Sequence, residues 1–270
     1  MGSNQETVSE RVRTPAVAGL FYPGEAEVLR ENVRRLLRDN PAAGAAPKAV
    51  IVPHAGYVYS GPVAARAYNL VAQAAARIRR VLLLGPAHRV MLRGMALPKA
   101  AVFHTPLGDI GLDTAAMAEI DGTHGVLRSD EAHRLEHSLE VQLPFLQTVL
   151  GEFTLVPLVV GWTERAEVAA VLQQLWGGDE TLVVLSSDLS HYHSYAEARR
   201  LDEETARRIE SQSPEIDGEQ ACGAYPLNGL LELSRRKRLG VTRLDLRNSG
   251  DTAGGRDRVV GYGAWSLCAA

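Results

Sequence analysis

Apolar and polar positions change their period several times along the chain, and each change marks an element. Leu29, Val33, Leu36 and Leu37 recur at the spacing of one helix face, which predicts an amphipathic helix over 25–39. The tract PAAGAAP (41–47) breaks that pattern, and the apolar run KAVIV (48–52) then reads as a buried strand. An alanine-rich helix (61–77) and a second buried strand, VLLLG (81–85), follow. Residues 101–113 read as a strand with turns, and 131–150 as one long helix interrupted near Pro144. Apolar strands at 154–161 and 181–188 flank a helix at 165–176. Helices at 195–211 and 218–238 and strands at 241–248 and 259–267 complete the pattern.

Strands without polar alternation are buried on both faces. Their alternation with helices predicts an α/β fold, a central mostly parallel or mixed sheet flanked by helices on both sides. One domain over 13–270 is the economical division, and the polar residues 1–12 are expected to form a disordered tail. Composition narrows the function. With 46% hydrophobic and 23% charged residues and a net charge of −3, nothing provides the basic field that nucleic acid or an anionic membrane would need. No apolar run approaches the length of a membrane span, and the start MGSNQETVSERVR has no apolar signal core, so a cytosolic protein is expected. Two cysteines cannot make a disulfide framework, and eight histidines make any metal site rich in nitrogen.

The chemistry gathers where strands stop. KAVIV runs into Pro53-His54, VLLLGPA into His88, and TLVVLSSD into Asp188, His191 and His193. Ligands of open α/β sheets bind outside the carboxyl ends of the strands, so three strands delivering these groups to one edge form a constellation. Imidazoles suit zinc, iron, copper and nickel, and a thiolate or carboxylate completes such sites. Cys222, in EQACGAYP, is the cysteine in a polar, glycine-flanked setting, whereas Cys268 lies on an apolar strand edge. Residue chemistry alone therefore points to a histidine-rich metal centre without fixing its ligands.

The segments PAVAGLFYP, VPHAGYVYSGPVAARAY, LLGPAH, EHSLEVQLPFLQ, SSDLSHYHSY and ACGAYPLNGLL occur in the order seen in the Memo family. In bacteria and archaea that family is known as the B protein of the AmmeMemoRadiSam system. The resemblance covers almost the whole chain, and it implies the fold of the LigB-like class III extradiol ring-cleaving dioxygenases. It further implies that His54 and His88 bind a metal, with Cys222 as third ligand where the dioxygenases have glutamate. His191 matches the acid/base histidine of the ring-cleaving relatives, and Asp188 lies beside the metal in the Memo pattern. Iron or copper is the implied ion, with zinc as a further option. A thiolate is softer and more electron-donating than a carboxylate, which moves preference toward copper or zinc. The implied activity is an oxidoreductase resembling the dioxygenases and acting on a small molecule, an aromatic one being the option the resemblance offers. Animal relatives are described as adaptors that bind phosphorylated peptides, so a non-enzymatic binding module is the alternative, and the family name implies the other AmmeMemoRadiSam proteins as partners.

His133-Arg-Leu-Glu136-His137 supplies a rival, because H-x-x-E-H on a helix is the inverted zinc-hydrolase signature, with Glu136 as base. In the Memo resemblance the shared part is Glu136 to Glu140, which leaves His133 outside. There His137 and Glu140 are expected to orient ligands or substrate, or else to be a helix-surface pair. Tyr57, Tyr59, Tyr192 and Tyr225 fall in the same motifs, where a phenol can donate to a bound oxygen or stack on an aromatic substrate. His104 and His124 receive no role, and the run Arg235–Arg238 reads as a solvated helix end that complements the helix dipole.

Overall fold

The computed structural model describes residues 12–269. Of the tail expected at 1–12, residues 1–11 lie outside the described residues, while Val12 opens the first strand, β1 (Val12–Arg13). It is followed by α1 (Ala26–Asp39), β2 (Ala49–Val52), α2 (Tyr57–Ala72) and β3 (Arg80–Pro86). Next come β4 (Met95–Leu97), the hairpin β5 (Val102–Thr105) and β6 (Gly108–Gly111), α3 (Thr114–Ile120), β7 (Val126–Arg128) and α4 (Asp130–Arg134). The second half runs through α5 (Leu143–Val149), β8 (Thr154–Val160), α6 (Arg165–Gln174) and β9 (Thr181–Ser186). It ends with β10 (His191–His193), α7 (Tyr195–Glu210), α8 (Ala224–Arg236), β11 (Leu239–Asn248) and β12 (Val259–Ala269).

The fold is α/β, as the alternation predicts. A nine-stranded mixed sheet is built around the parallel set β2-β9-β3-β8. β12 lies antiparallel to β2 and also pairs with β10 and β11, and β4 and β7 extend the other side. β1, β5 and β6 form a separate three-stranded sheet. Every residue of β2 and β9 is buried, which is why these strands read as unbroken apolar runs.

Topology fixes where a ligand can sit. The β2-α2-β3 crossover moves across the sheet in one direction and the β8-α6-β9 crossover in the other. Crossovers are right-handed, so α2 and α6 cover opposite faces. α8 packs on α6 and lies against β3 and β9, while α1, α2 and α5 pack together. The chain thus leaves β2 toward one face and returns from β9 to the other, which opens a crevice between the carboxyl ends of two neighbouring strands. Val52 and Ser186 are partners in register at that end, and His54 and Asp188 follow directly.

Two expectations need correction. The long helix at 131–150 does not exist. α4 is five residues long, capped by Ser129, whose side chain accepts from Ala132 N, and the chain then turns through 135–139 before a short 3-10 turn and α5. The break comes before Pro144, which sits in the first turn of α5, where its missing N–H costs nothing. The helix expected at 218–238 begins only at Ala224, so Cys222 lies on the loop before it. Gly223 precedes the helix as its N-cap, and a Cβ there would come within 2.7 Å of the Ser187 side chain. The strands β1, β4, β7 and β10 are two or three residues long, too short to leave a period in the sequence.

Candidate metal centre

His54 is the second residue beyond β2, and both its backbone and its ring are held. Its N–H donates to Asp188 Oδ1 at 2.7 Å, and its Nδ1 lies 2.8 Å from Ser186 Oγ, at the end of β9. The residue is buried, and its free ring nitrogen, Nε2, faces Cys222 Sγ at 3.2 Å. His88 follows β3 in the same manner, with Glu136 receiving both of its groups. The His88 N–H donates to Oε2 at 2.6 Å, and Nδ1 lies 2.9 Å from Oε1. Oε1 also accepts the N–H groups of His137 and Ser138. Burial works to raise the Glu136 pKa, but the hydrogen bonds from His88 and Ser138 outweigh it and hold the acid at about 2. A carboxylate can only accept, so His88 Nδ1 carries the proton and Nε2 keeps its lone pair.

Cys222 is fixed by the strand-end loop opposite. Its N–H donates to the Asp188 carbonyl at 3.3 Å, and its sulfur accepts from Asp188 N–H at 3.3 Å. One donor atom from each of His54, His88 and Cys222 lies within 4.8 Å of the others. The His54 and His88 rings stand edge to face with centroids 5.1 Å apart. The donor set fits a soft or borderline cation. Two neutral imidazoles and a sulfur are the ligands that zinc, copper and iron take, and in a tetrahedral centre N and S donors stand about 3.5 Å apart. Burial pushes the His54 imidazolium well below its ordinary range, with neighbouring His88 and His137 adding to the effect, so the ring is neutral as a ligand must be. Burial, and then the Asp188 charge, push the Cys222 thiol up, so a thiolate here requires a cation beside it.

Other groups gather around these three. Asp188 is buried, and burial raises its carboxyl to about 7 against the opposing hydrogen bonds from His54 and Ala55 N–H. His191 is half-buried, and burial followed by the nearby His88 lowers its pKa. Tyr192, next to it, takes a positive φ of 62° that a tyrosine adopts only at a cost of about 1–3 kcal/mol. Its exposed ring carries Arg258 at 5.2 Å. His193 stands opposite Val259 in β10. His137 stacks on His88 at 4.7 Å, stands 5.4 Å from His54 and is covered by Phe21 at 4.8 Å. Its Nδ1 is buried and has no aligned hydrogen-bond partner among the described residues, with Glu136 Oε1 3.4 Å away. Burial lowers its pKa to about 4.

Two expected roles are not what the geometry gives. Glu140 does not face the ligands. Its oxygens accept from the Arg13 guanidinium, Ala16 N–H (2.7 Å), Val17 N–H (2.9 Å) and Tyr22 OH (2.6 Å), which ties the segment carrying Phe21 to the domain. Tyr57 is a core residue, its OH donating to the Val141 carbonyl at 2.7 Å and its ring packed on Phe145. Tyr225, by contrast, is 40% exposed in the first turn of α8, three residues past Cys222. The H-x-x-E-H pattern also dissolves. His133 is buried with Nε2 2.8 Å from the Ala96 carbonyl, α4 ends before Glu136, and Glu136 serves His88. His104 pairs with Asp109 on the β5-β6 hairpin, His124 sits in a turn at positive φ, and the Cys268 thiol lies 3.9 Å from the Ala45 and Ala46 carbonyls. The role of Glu136 beside His88 was missed, as were Ser186 and Gln142. The serine pair closing an apolar strand was the available signal.

Among the described residues, no helix is long and apolar enough to cross a membrane. The sequence matches the Memo-like protein family over residues 13–266. It is 35% identical over 266 residues to a MEMO1 family protein of Aquifex aeolicus, covering 93% of this chain and 97% of that one. A MEMO1 family protein of Aeropyrum pernix is 34% identical over 279 residues, at 94% and 99% coverage. Among solved structures, the uncharacterized protein JW3007 of Escherichia coli K12 superposes with a TM-score of 0.49 at 15% identity, covering 79% of this chain and 98% of that one. Identity at this level, carried over nearly the full length of both relatives, means that the chain belongs to the Memo family.

Proposed function

We propose that this Memo-family chain is a mononuclear metalloprotein whose ion, iron or copper, is held by His54, His88 and Cys222 and serves oxidoreductase chemistry. The observation that carries the reading is the convergence of three donor atoms at the crevice between strand ends, each backed by a hydrogen bond that orients it. A bound iron or copper ion would supply electron-transfer chemistry and open positions for a small-molecule substrate. The chain's own residues supply the rest. Asp188, balanced by burial near neutrality, holds or releases a proton at its carboxylate, and neutral His191 accepts one at its imidazole. Zinc suits the same donors, but hydrolysis through His133 has no support from a ring turned to a backbone carbonyl.

The test is metal analysis of protein purified anaerobically without added metal. Iron or copper should accompany wild type, be lost in His54→Ala and be retained in His104→Ala; equal retention in both variants defeats the reading. Oxygen uptake screened over catechols and thiols then tests the redox assignment. One observation favours a second reading, a binding module for a peptide or for another AmmeMemoRadiSam protein. Leu20, Val58, Met91, Leu135 and Tyr192 are exposed large apolar residues within five positions of His54, His88, His137, His191 or Phe21. Their closeness along the chain to the ligand segments is what a partner-binding surface beside the centre would use. A binding module would consume no oxygen with any reductant and would keep its partner affinity without metal.

A further inference from the structure

We propose that Ser186 is a positioning residue of the metal centre, its hydroxyl holding His54 in the form that carries its proton on Nδ1, so that the Nε2 lone pair faces Cys222. The proposal rests on the metal-centre reading above for its purpose, and on hydrogen-bond arithmetic for its content.

Gln142 provides the starting point. One end of its side-chain amide lies 2.9 Å from the Pro53 carbonyl, which can only accept, so that end is the NH₂. The other end is then Oε1, which accepts from Tyr68 OH at 2.9 Å, in agreement with that orientation. The NH₂ also reaches Ser186 Oγ at 2.9 Å, so the serine accepts there. Ser186 Oγ lies 2.6 Å from the Ser138 carbonyl, and since a carbonyl cannot donate, the single hydroxyl proton goes to that contact. A hydroxyl has one proton and two lone pairs. The proton is committed, one lone pair takes Gln142, and the contact with His54 Nδ1 at 2.8 Å forms only if the imidazole donates. His54 is therefore the Nδ1–H tautomer, and its Nε2 is free for the cation.

All participants are buried: His54 is 2% exposed, Ser186 fully buried and Gln142 1% exposed. Water therefore does not offer His54 a substitute acceptor from bulk, and an unpaired polar group there is costly. The two histidines are served differently. His88 leans on a charged carboxylate, whereas His54 leans on a neutral hydroxyl already saturated on its other valences. Partners of this kind set both the tautomer and the ring orientation of a metal ligand, and losing one lowers metal affinity by about 10–100-fold.

The experiment uses metal-free, ¹⁵N-histidine-labelled protein, with two-bond proton–nitrogen spectra at neutral pH and a His54→Ala spectrum for assignment. Wild type should show His54 protonated on Nδ1. Ser186→Ala should show a mixture or the Nε2–H form, and its Co(II) dissociation constant should rise by about 10–100-fold. Ser186→Thr, which keeps the hydroxyl, should restore both. A wild-type His54 protonated on Nε2 overturns the proposal, and so does a Ser186→Ala protein with unchanged tautomer and affinity. If Ser186→Ala does not fold, the wild-type spectrum alone decides. Wild type that takes up no Co(II) but loses the Nδ1–H form in Ser186→Ala would support the serine's hold on His54 and sink the metal-centre reading instead.

Discussion

Replacing Glu140 by glutamine separates a clamp on the N-terminal segment from a role at the centre. The carboxylate is fully buried and takes four donors: the Arg13 guanidinium, two backbone N–H groups and Tyr22 OH. Arg13 is itself 7% exposed. Glutamine keeps the shape but turns one acceptor oxygen into an NH₂ facing donors, and it leaves a buried guanidinium without its counter-charge. Breaking a buried ion pair from one side costs about 3–5 kcal/mol. Arg13 keeps the carbonyls of His133 (3.1 Å) and Glu136 (2.7 Å), so the lower end, about 3 kcal/mol, is expected. Urea unfolding of the metal-free protein is the assay, run on wild type, Glu140→Gln, Arg13→Met and the double variant. The double variant should be less damaged than the sum of the singles, because it removes the stranded charge along with its partner. Metal affinity should not change, since Glu140 touches none of His54, His88 and Cys222. Stability within about 0.5 kcal/mol of wild type, or a metal affinity that falls while stability holds, would refute the clamp.

Glu136→Gln should weaken metal binding by about 10–100-fold in a chelator competition, because His88 loses its charged acceptor; unchanged affinity would mean that His88 needs no such partner. His133→Ala should bind metal like wild type while losing about 1–3 kcal/mol through the stranded Ala96 carbonyl, and loss of metal instead would revive the H-x-x-E-H reading. Burial raises buried Asp202 to about 6. A carboxyl raised on folding contributes stability that is present below its unfolded value near 4 and is lost as pH climbs through about 6. Asp202→Asn should therefore gain on wild type between pH 4 and 7, by about 3 kcal/mol at most, as read from urea midpoints. A difference that does not vary with pH removes Asp202 as the cause.

The strands that build the centre were legible because burial on both faces leaves no polar interruption, and VIV, VLLLG and TLVVL all became central strands. The strand-end positions of His54, His88 and Asp188 followed from the same runs. The stretch 131–142 was illegible for a physical reason. Its apolar and charged spacing suits a helix, but His133, Glu136 and Glu140 are drawn to three different places: the Ala96 carbonyl, His88 and Arg13. Tertiary partners unwind what local pattern would wind. Tyr57 misled similarly, since a tyrosine in a histidine motif looks functional until its OH is found on a core carbonyl. The hydroxyl of Ser186 carries no sequence mark beyond its place in the serine pair that closes an apolar strand.

β12 gives the centre a date in the life of the molecule. β2, which delivers His54, is flanked by β9 on one edge and β12 on the other, and His191 and His193 are held by Val260 and Val259. A chain still on the ribosome therefore lacks the wall beside His54 until residues 259–267 have emerged. The crevice is thus completed by the last-made strand of the described residues, after every other strand of the sheet has been synthesised.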